Sequence, residues 1–318
     1  MLGAYRIRGG DLTQNVRNIF EHNIVLLGKM DKVVHYLREQ QCDKALSLVA
    51  DSIDEINYII EAIISDREYF HLVNTESIFE MLTGILEAKK NMDFVLLADL
   101  LELQLMNFLL SVQELIIGKE EILFDEERYQ ENITYLINKA EGNTEQLKQP
   151  MNPAQLLENG YRIEFTSSGR MTLVAENEGS KFYFHTNNKV QSEAFCLAGS
   201  WLQKEADCYV LYGLGMGYQI LELLALAPEQ RFEIYEADAN VIRLACAFTD
   251  LKPLLTETRV RLIYDPDFEL LSTRVSELKI NEAFRVHYPS FKNIRSQKGK
   301  AIVEKGLPWL KLLSASED

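Results

Sequence analysis

Through the first 140 positions apolar residues recur every three or four residues, and after residue 160 they gather into short β-rich runs. Asp11–Gln40 places Val16, Ile19, Phe20, Ile24 and Leu27 on one helical face, with Asp11 positioned as its cap. Asp43–Phe70 predicts a second helix, with Leu46, Val49, Ile53, Ile56, Ile60, Ile63 and Ile64 at helical spacing. Thr75-Glu76-Ser77-Ile78 opens a third, running to about Lys90. Asn91–Ile117 is apolar almost all round, which predicts the most buried helix of the set, and Asp125–Ala140 closes the series. Residues 1–145 are therefore expected to form an antiparallel bundle of four or five helices.

All seven prolines lie at or after Pro150, and the polar stretch Gly142–Asn152 marks the expected boundary between two domains. Beyond it Tyr161–Phe165, Met171–Ala175 and Lys181–His185 read as a meander of three strands, and Gln191–Gln203 as a helix. Strands then alternate with helices. Cys208–Leu214, Arg231–Glu236, Arg259–Tyr264 and Ala283–Tyr288 are the strands. The helices are Tyr218–Ala227, a segment capped by Asp238 that runs through Phe248, Asp267 to about Lys279, and a last one toward Leu313. This alternation predicts a parallel sheet with crossover helices. The expected fold is an all-α helical bundle followed, over residues 152–318, by a Rossmann-like (methyltransferase-like) α/β domain with a parallel sheet and a small β-meander.

Composition narrows the choice little. Of the 318 residues 47% are hydrophobic and 25% charged, ordinary globular values that exclude a disordered or collagen-like chain. Charge says more: the net of −15 divides into −12 over residues 1–149 and −3 over 150–318. Such acidity argues against a nucleic-acid partner. Asp99, Glu102, Asn107 and Glu114 interrupt the richest apolar stretch, Phe94–Gly118, and Met1–Asp11 lacks the apolar core of a secretory signal. A soluble, cytoplasmic protein without a membrane segment is expected. Cys42, Cys196, Cys208 and Cys246 lie far apart in apolar surroundings and read as reduced, buried residues; no metal-ligand spacing of Cys or His occurs.

The candidate site is Val210-Leu211-Tyr212-Gly213-Leu214-Gly215-Met216-Gly217, between the first parallel strand and its helix. Glycines there let a backbone approach a ligand, and the helix start offers free N–H groups. Glu236 ends the next strand 23 residues after Gly213, where a Rossmann-type fold places the carboxylate that binds ribose hydroxyls. Asp265 ends the third strand, and Tyr218 stands where a base would stack. Gly213, Gly215, Gly217, Tyr218, Glu236 and Asp265 are thus the candidate nucleotide-binding residues. The same residue types also serve packing alone, the glycines for helix-to-strand contact and the carboxylates as helix caps. His185 reads as a structural histidine or a general base; Arg243 and Lys252 read equally well as surface charges. The acidic bundle faces are solvated exteriors or a docking surface for a partner protein's helix.

Two resemblances follow from these motifs. The spacing GxGxG is similar to the turn of S-adenosylmethionine-dependent methyltransferases, although Tyr212 stands where those enzymes carry an acidic residue and Val286-His287-Tyr288-Pro289 where some carry an Asn/Asp-Pro-Pro segment. More of the chain, about residues 155–313, resembles the amino-terminal domain of the motility-associated-factor (Maf) glycosyltransferases. The matching pieces are Tyr183-Phe184-His185-Thr186, Glu193-Ala194, Gly213-Leu214-Gly215-Met216-Gly217-Tyr218, Tyr235-Glu236-Ala237-Asp238 and Val286-His287-Tyr288-Pro289. Val190, Gln219 and Ala237 replace a proline, a histidine and a proline of the family pattern. The resemblance implies glycosylation of flagellin or another surface protein, with a cytidine-linked nucleotide sugar as donor. The Gly-Pro-Ser-Leu motif that opens the family's catalytic module does not occur in this sequence. An accessory, non-catalytic role is therefore expected, with a methyltransferase and a ligand-free interaction module as alternatives.

Overall fold

The computed structural model describes residues 14–119, 126–139, 145–148 and 159–307. Asp11, the polar segment 142–144 and 149–152, and the last helix beyond Leu307 lie outside these residues. The chain divides into two units. Among the described residues the first holds 14–119 with Phe165–Arg170 and Asn188–Ser192, and the second holds the remainder.

The first unit is helical. Helix α1 is Gln14–Arg38, and the run predicted as one helix over 43–70 is two, α2 (Cys42–Ala50) and α3 (Ile53–Ser65). The break falls at Ser52, whose hydroxyl turns back onto the Leu48 carbonyl at 2.7 Å and competes with the helical ladder. Helix α4 is Ile78–Lys90, and α5 runs Phe94–Lys119 with a π-helical turn at Leu101–Leu105. Asp93 caps α5 by accepting the Leu96 N–H at 3.0 Å.

By length and composition α5 suffices to cross a membrane, its few charges notwithstanding. Here it is a bundle helix. Leu97, Leu101, Leu105, Leu109 and Val112 are buried in one core with Ile19, Leu26, Met30 and Val33 of α1. Predicted as the most buried helix of the set, it is covered on one side, with Val95 and Leu103 exposed on the other. A buried polar pair pins the two helices: Asn23 donates to the Leu109 carbonyl and to Gln113 Oε1 at 2.8 and 3.1 Å, and Gln113 donates to Ser168 O at 3.1 Å.

The second unit begins earlier than the proline pattern suggests. Helix α6, Glu126–Lys139, was expected to close the bundle, yet Tyr129, Ile133 and Leu136 share a core with the parallel sheet. Asn132 fixes it there, donating to the carbonyls of Cys246 and Thr249 at 2.9 and 3.1 Å. These carbonyls belong to a helix end, so the contact satisfies acceptors that the helix itself leaves open. A short turn, α7 (Glu145–Lys148), follows.

Strands β1 (Tyr161–Phe165), β2 (Met171–Asn177) and β3 (Ser180–Tyr183) form a three-stranded sheet in sequential order, as the alternation predicts. After α8 (Val190–Trp201) come β4 (Cys208–Tyr212), α9 (Tyr218–Leu226), β5 (Arg231–Glu236), α10 (Ala239–Phe248), α11 (Lys252–Leu255), β6 (Val260–Tyr264), α12 (Glu269–Ser276) and β7 (Glu282–Val286). Helices α13 (Tyr288–Lys292) and α14 (Gln297–Val303) complete the described chain. The four strands pair in parallel in the order β6-β5-β4-β7.

Both faces of this sheet are covered, which explains why β4 is apolar at every position. Tyr209, Leu211, Phe232, Ile234 and Leu262 face the core shared with α6, α9 and α10. Val210, Tyr212, Tyr235, Ile263 and Val286 face Phe268, Leu271 and Phe291. Of the cysteines, Cys208 and Cys246 are buried, as the apolar context predicts. Cys196 lies exposed on the outer side of its helix, and Cys42 is half-buried at the start of α2.

These contacts set an expectation for truncation. Three α6 side chains cover the sheet core, and burying each contributes roughly 1.5–3 kcal/mol. A fragment beginning at residue 124 should therefore unfold at a distinctly higher denaturant concentration than one beginning at 152. Equal midpoints by circular dichroism would show that α6 adds nothing to this unit.

Candidate functional site

The glycine turn after β4 is built as the sequence predicts but faces the protein's own interior. Gly213, Gly215 and Gly217 have φ of +99°, +56° and +86°, a region closed to most side chains. Gly213 N–H extends the sheet by donating to Tyr235 O at 2.9 Å, and Gly217 N–H closes the turn on Leu214 O at 2.9 Å. Two of the three remaining N–H groups of the turn bond side chains of the same unit. Leu214 N–H donates to Glu236 Oε2 and Met216 N–H to His185 Nε2, both at 3.0 Å.

The space beside each glycine is filled. A β-carbon on Gly213 would lie 2.4 Å from Ser290 Cβ, and one on Gly215 would lie 2.9 Å from His287 Cε1 and 3.0 Å from His185 Nε2. One on Gly217 would meet Leu251 at 2.7 Å. His185 and His287 stack with centroids 5.1 Å apart, and the His287 Nδ1–Ser290 Oγ distance is 2.8 Å. Burial, and next to it the neighbouring His185, hold His287 well below the usual imidazole range, so it is neutral. Because His185 accepts at Nε2, its proton sits on Nδ1, 3.6 Å from Glu193 Oε1. His185 thus serves the structure.

The candidate acids are committed as well. Glu236 is 2% exposed and accepts three backbone N–H bonds, from Leu214 on one oxygen and from Ala237 and Asp238 on the other, at 2.9–3.1 Å. Burial, and secondly the Asp238 charge, push its carboxyl up to about 7 against the pull of those bonds. Asp265 caps α12, accepting from Glu269 and Leu271 N–H at 3.1 and 2.8 Å. The Tyr218 hydroxyl bonds the main chain of Met171 on β2. The six predicted residues therefore gather at adjoining strand ends: the glycines and Glu236 form one knot, Tyr218 ties it to the meander, and Asp265 turns away to its own helix.

An open cavity of about 380 Å³ lies one strand over, at the carboxyl ends of β5 and β6. Its walls include Gln146, Asn159, Ala237–Asn240, Arg243 and Tyr264. The Tyr264 hydroxyl donates to Gln146 Oε1. Lys252, paired by the sequence reading with Arg243 as a surface charge, is one, 3.3 Å from Glu131. Arg243 is not; it is buried. It lines this cavity, which no local pattern of charges records. Among the described residues no group of three or more His, Cys, Asp and Glu is placed to hold a metal ion.

The fold and site define a helical unit joined to a parallel α/β unit with a self-filled glycine turn. Residues 15–115, most of the helical unit, match the model of a family described as a domain of unknown function, DUF8042. No curated protein matches the chain. Among solved structures it is similar to MNMC2 from Aquifex aeolicus, at 16% identity over 55% of this chain and 60% of that one, with a TM-score of 0.25. A likeness at that level defines neither fold nor activity.

Two outcomes follow from the knot. Gly213→Ala should cost roughly 2–5 kcal/mol of stability, from positive-φ strain plus overpacking against Ser290, measurable by chemical denaturation. Glu236 should give stability a definite pH slope. Between pH 4.5 and about 7 the folded state retains a proton that the unfolded chain has released, so unfolding becomes easier as pH rises through that window and levels off above it. The wild-type stability relative to Glu236→Gln should fall by about 3 kcal/mol across it. A difference that stays constant with pH would contradict the buried, proton-holding carboxyl.

Proposed function

We propose that this chain is a non-catalytic accessory protein of a surface-protein glycosylation system, of the kind implied by its resemblance to the Maf amino-terminal domain, and that its Rossmann-like unit binds a nucleotide. One observation carries this reading. Glu236, His185 and the Leu214 and Met216 N–H groups at the glycine turn are bonded to one another, while a cavity stands open at the neighbouring strand ends. In doubly wound sheets ligands sit outside the carboxyl ends of the strands, commonly where the strand order reverses. That reversal falls between β4 and β7, and His287 and Ser290 fill it against Gly213. The ligand then takes the adjoining place over β5 and β6.

The helical unit supplies the partner surface in this reading. Leu72, Phe79, Leu86, Met92, Val95 and Leu103 are all more than 60% exposed in a unit of strongly acidic composition. Apolar side chains within an acidic frame suit a partner helix that is apolar on one face and basic at its edges.

A second reading, an S-adenosylmethionine-dependent methyltransferase, draws on the strand order. Numbered within the parallel sheet it is 3-2-1-4, the order in which a doubly wound half places a glycine turn after its first strand. Activity separates the two. Incubated with a cytidine-linked nonulosonic acid and flagellin, and separately with S-adenosylmethionine and small amines, the purified chain should yield no product. Sugar transfer would contradict the accessory role, and methyl transfer would establish the second reading in its place.

A further inference from the structure

The cavity over β5 and β6 is walled by the first turn of α10 and by Arg243, one turn further along the same helix. Arg243 is 9% exposed, and among the described residues its Nε and Nη2 have no hydrogen-bond partner. Among the described residues no ion pair reaches it. Buried guanidinium N–H groups without an acceptor are costly, and folds seldom keep them unless something else satisfies them. Its planar fork of donors matches the oxygens of a phosphate or carboxylate.

The remaining walls favour the same guest. Ala239 and Asn240 begin a ten-residue helix, so the positive end of its dipole and its first N–H groups lie at the cavity. Asn240, Gln146 and Tyr264 add neutral polar groups. One carboxylate, Asp238, stands at the rim, and its oxygens are already engaged. One accepts the Asn240 N–H at 2.9 Å; the other accepts the Tyr161 hydroxyl and Asn293 Nδ2, the latter at 3.2 Å. Arg243 carries the one guanidinium or ammonium among the lining residues and Asp238 the one carboxylate, so the cationic donor there is Arg243. The volume is at the small end of the range for metabolite sites, roughly 300–1,000 Å³.

We infer that this cavity binds a phosphate-bearing small molecule and that Arg243 anchors its phosphate. The inference rests on reading the second unit as a ligand-binding module and adds the chemical class of the ligand and the residue that selects it. Glu236 and the glycines then act by holding the Ala237–Asp238 corner in place, not by touching the ligand.

Calorimetry and thermal denaturation of the whole chain with inorganic phosphate, cytidine 5′-monophosphate and cytidine, at constant ionic strength, test this. Wild type should bind both phosphates saturably, and cytidine at least tenfold more weakly than its monophosphate. Arg243→Met should lose roughly ten- to a hundredfold in affinity, the worth of a charge-assisted hydrogen bond. Without ligand its melting temperature should be no lower than that of wild type, because the substitution removes an unpaired buried charge. Asn240→Asp keeps the arginine, adds a negative charge at the cavity and should also weaken phosphate, which decides the matter if Arg243→Met does not fold. Cytidine binding as tightly as its monophosphate, or phosphate affinity unchanged in both variants, overturns the phosphate anchor and leaves a ligand-binding unit standing. Wild type that binds none of the three probes at millimolar concentration overturns the anchor together with the nucleotide-binding reading.

Discussion

The carboxyl group of Glu236 fastens the end of β5 to the turn that follows β4. It reaches one oxygen to Leu214 and folds the other back over Ala237 and Asp238, so three main-chain N–H groups converge on a side chain closed off from water. Much else depends on that arrangement. The turn it steadies must run through three positive-φ glycines, and the room they leave is what His185, His287 and Ser290 occupy. The corner it holds starts α10, whose cap, Asp238, in turn collects the Tyr161 hydroxyl and Asn293. Loss of the carboxyl would release the turn, the helix start and the cavity wall together.

Such a knot shows how the residues of a nucleotide-site pattern can also make an internal contact. A glycine, a glutamate at the next strand end and a helix start are what a ribose and phosphate require. They are equally what a tight internal contact requires, and spacing alone does not separate the two. Here the histidines downstream of β3 and at the end of β7 lie against the glycines, within 2.9–3.0 Å of where a Gly215 β-carbon would be. Those residues are distant in sequence; the parallel pairing of β4 with β7 brings His287 to the turn, and the contact of His185 with Thr172 belongs to the separate three-stranded sheet.

What the sequence made legible was periodic. The helical first half, the meander, the four parallel strands and the Asp238 cap all follow from spacing and local chemistry, and all are present. What it did not disclose depends on tertiary partners. Tyr129, Ile133 and Leu136 make an amphipathic stripe that fits either unit, and only Asn132 meeting the end of α10 assigns it to the second. The single helix predicted over 43–70 breaks at a serine whose side-chain bond is visible only in three dimensions. Arg243 is a charge on an apolar helix, and nothing in its neighbours announces that its head group is enclosed.

The state of Glu236 is the central claim, and its carboxyl carbon can be observed directly. In ¹³C-labelled protein the NMR titration of this carbon should have its midpoint near 7, far above an ordinary glutamate. Saturation with cytidine 5′-monophosphate or S-adenosylhomocysteine should leave the resonance and its midpoint in place, since the group faces the turn and not the cavity. A midpoint in the usual carboxylate range near 4, or a large shift on adding either compound, would contradict the account and return Glu236 to a ligand-binding role.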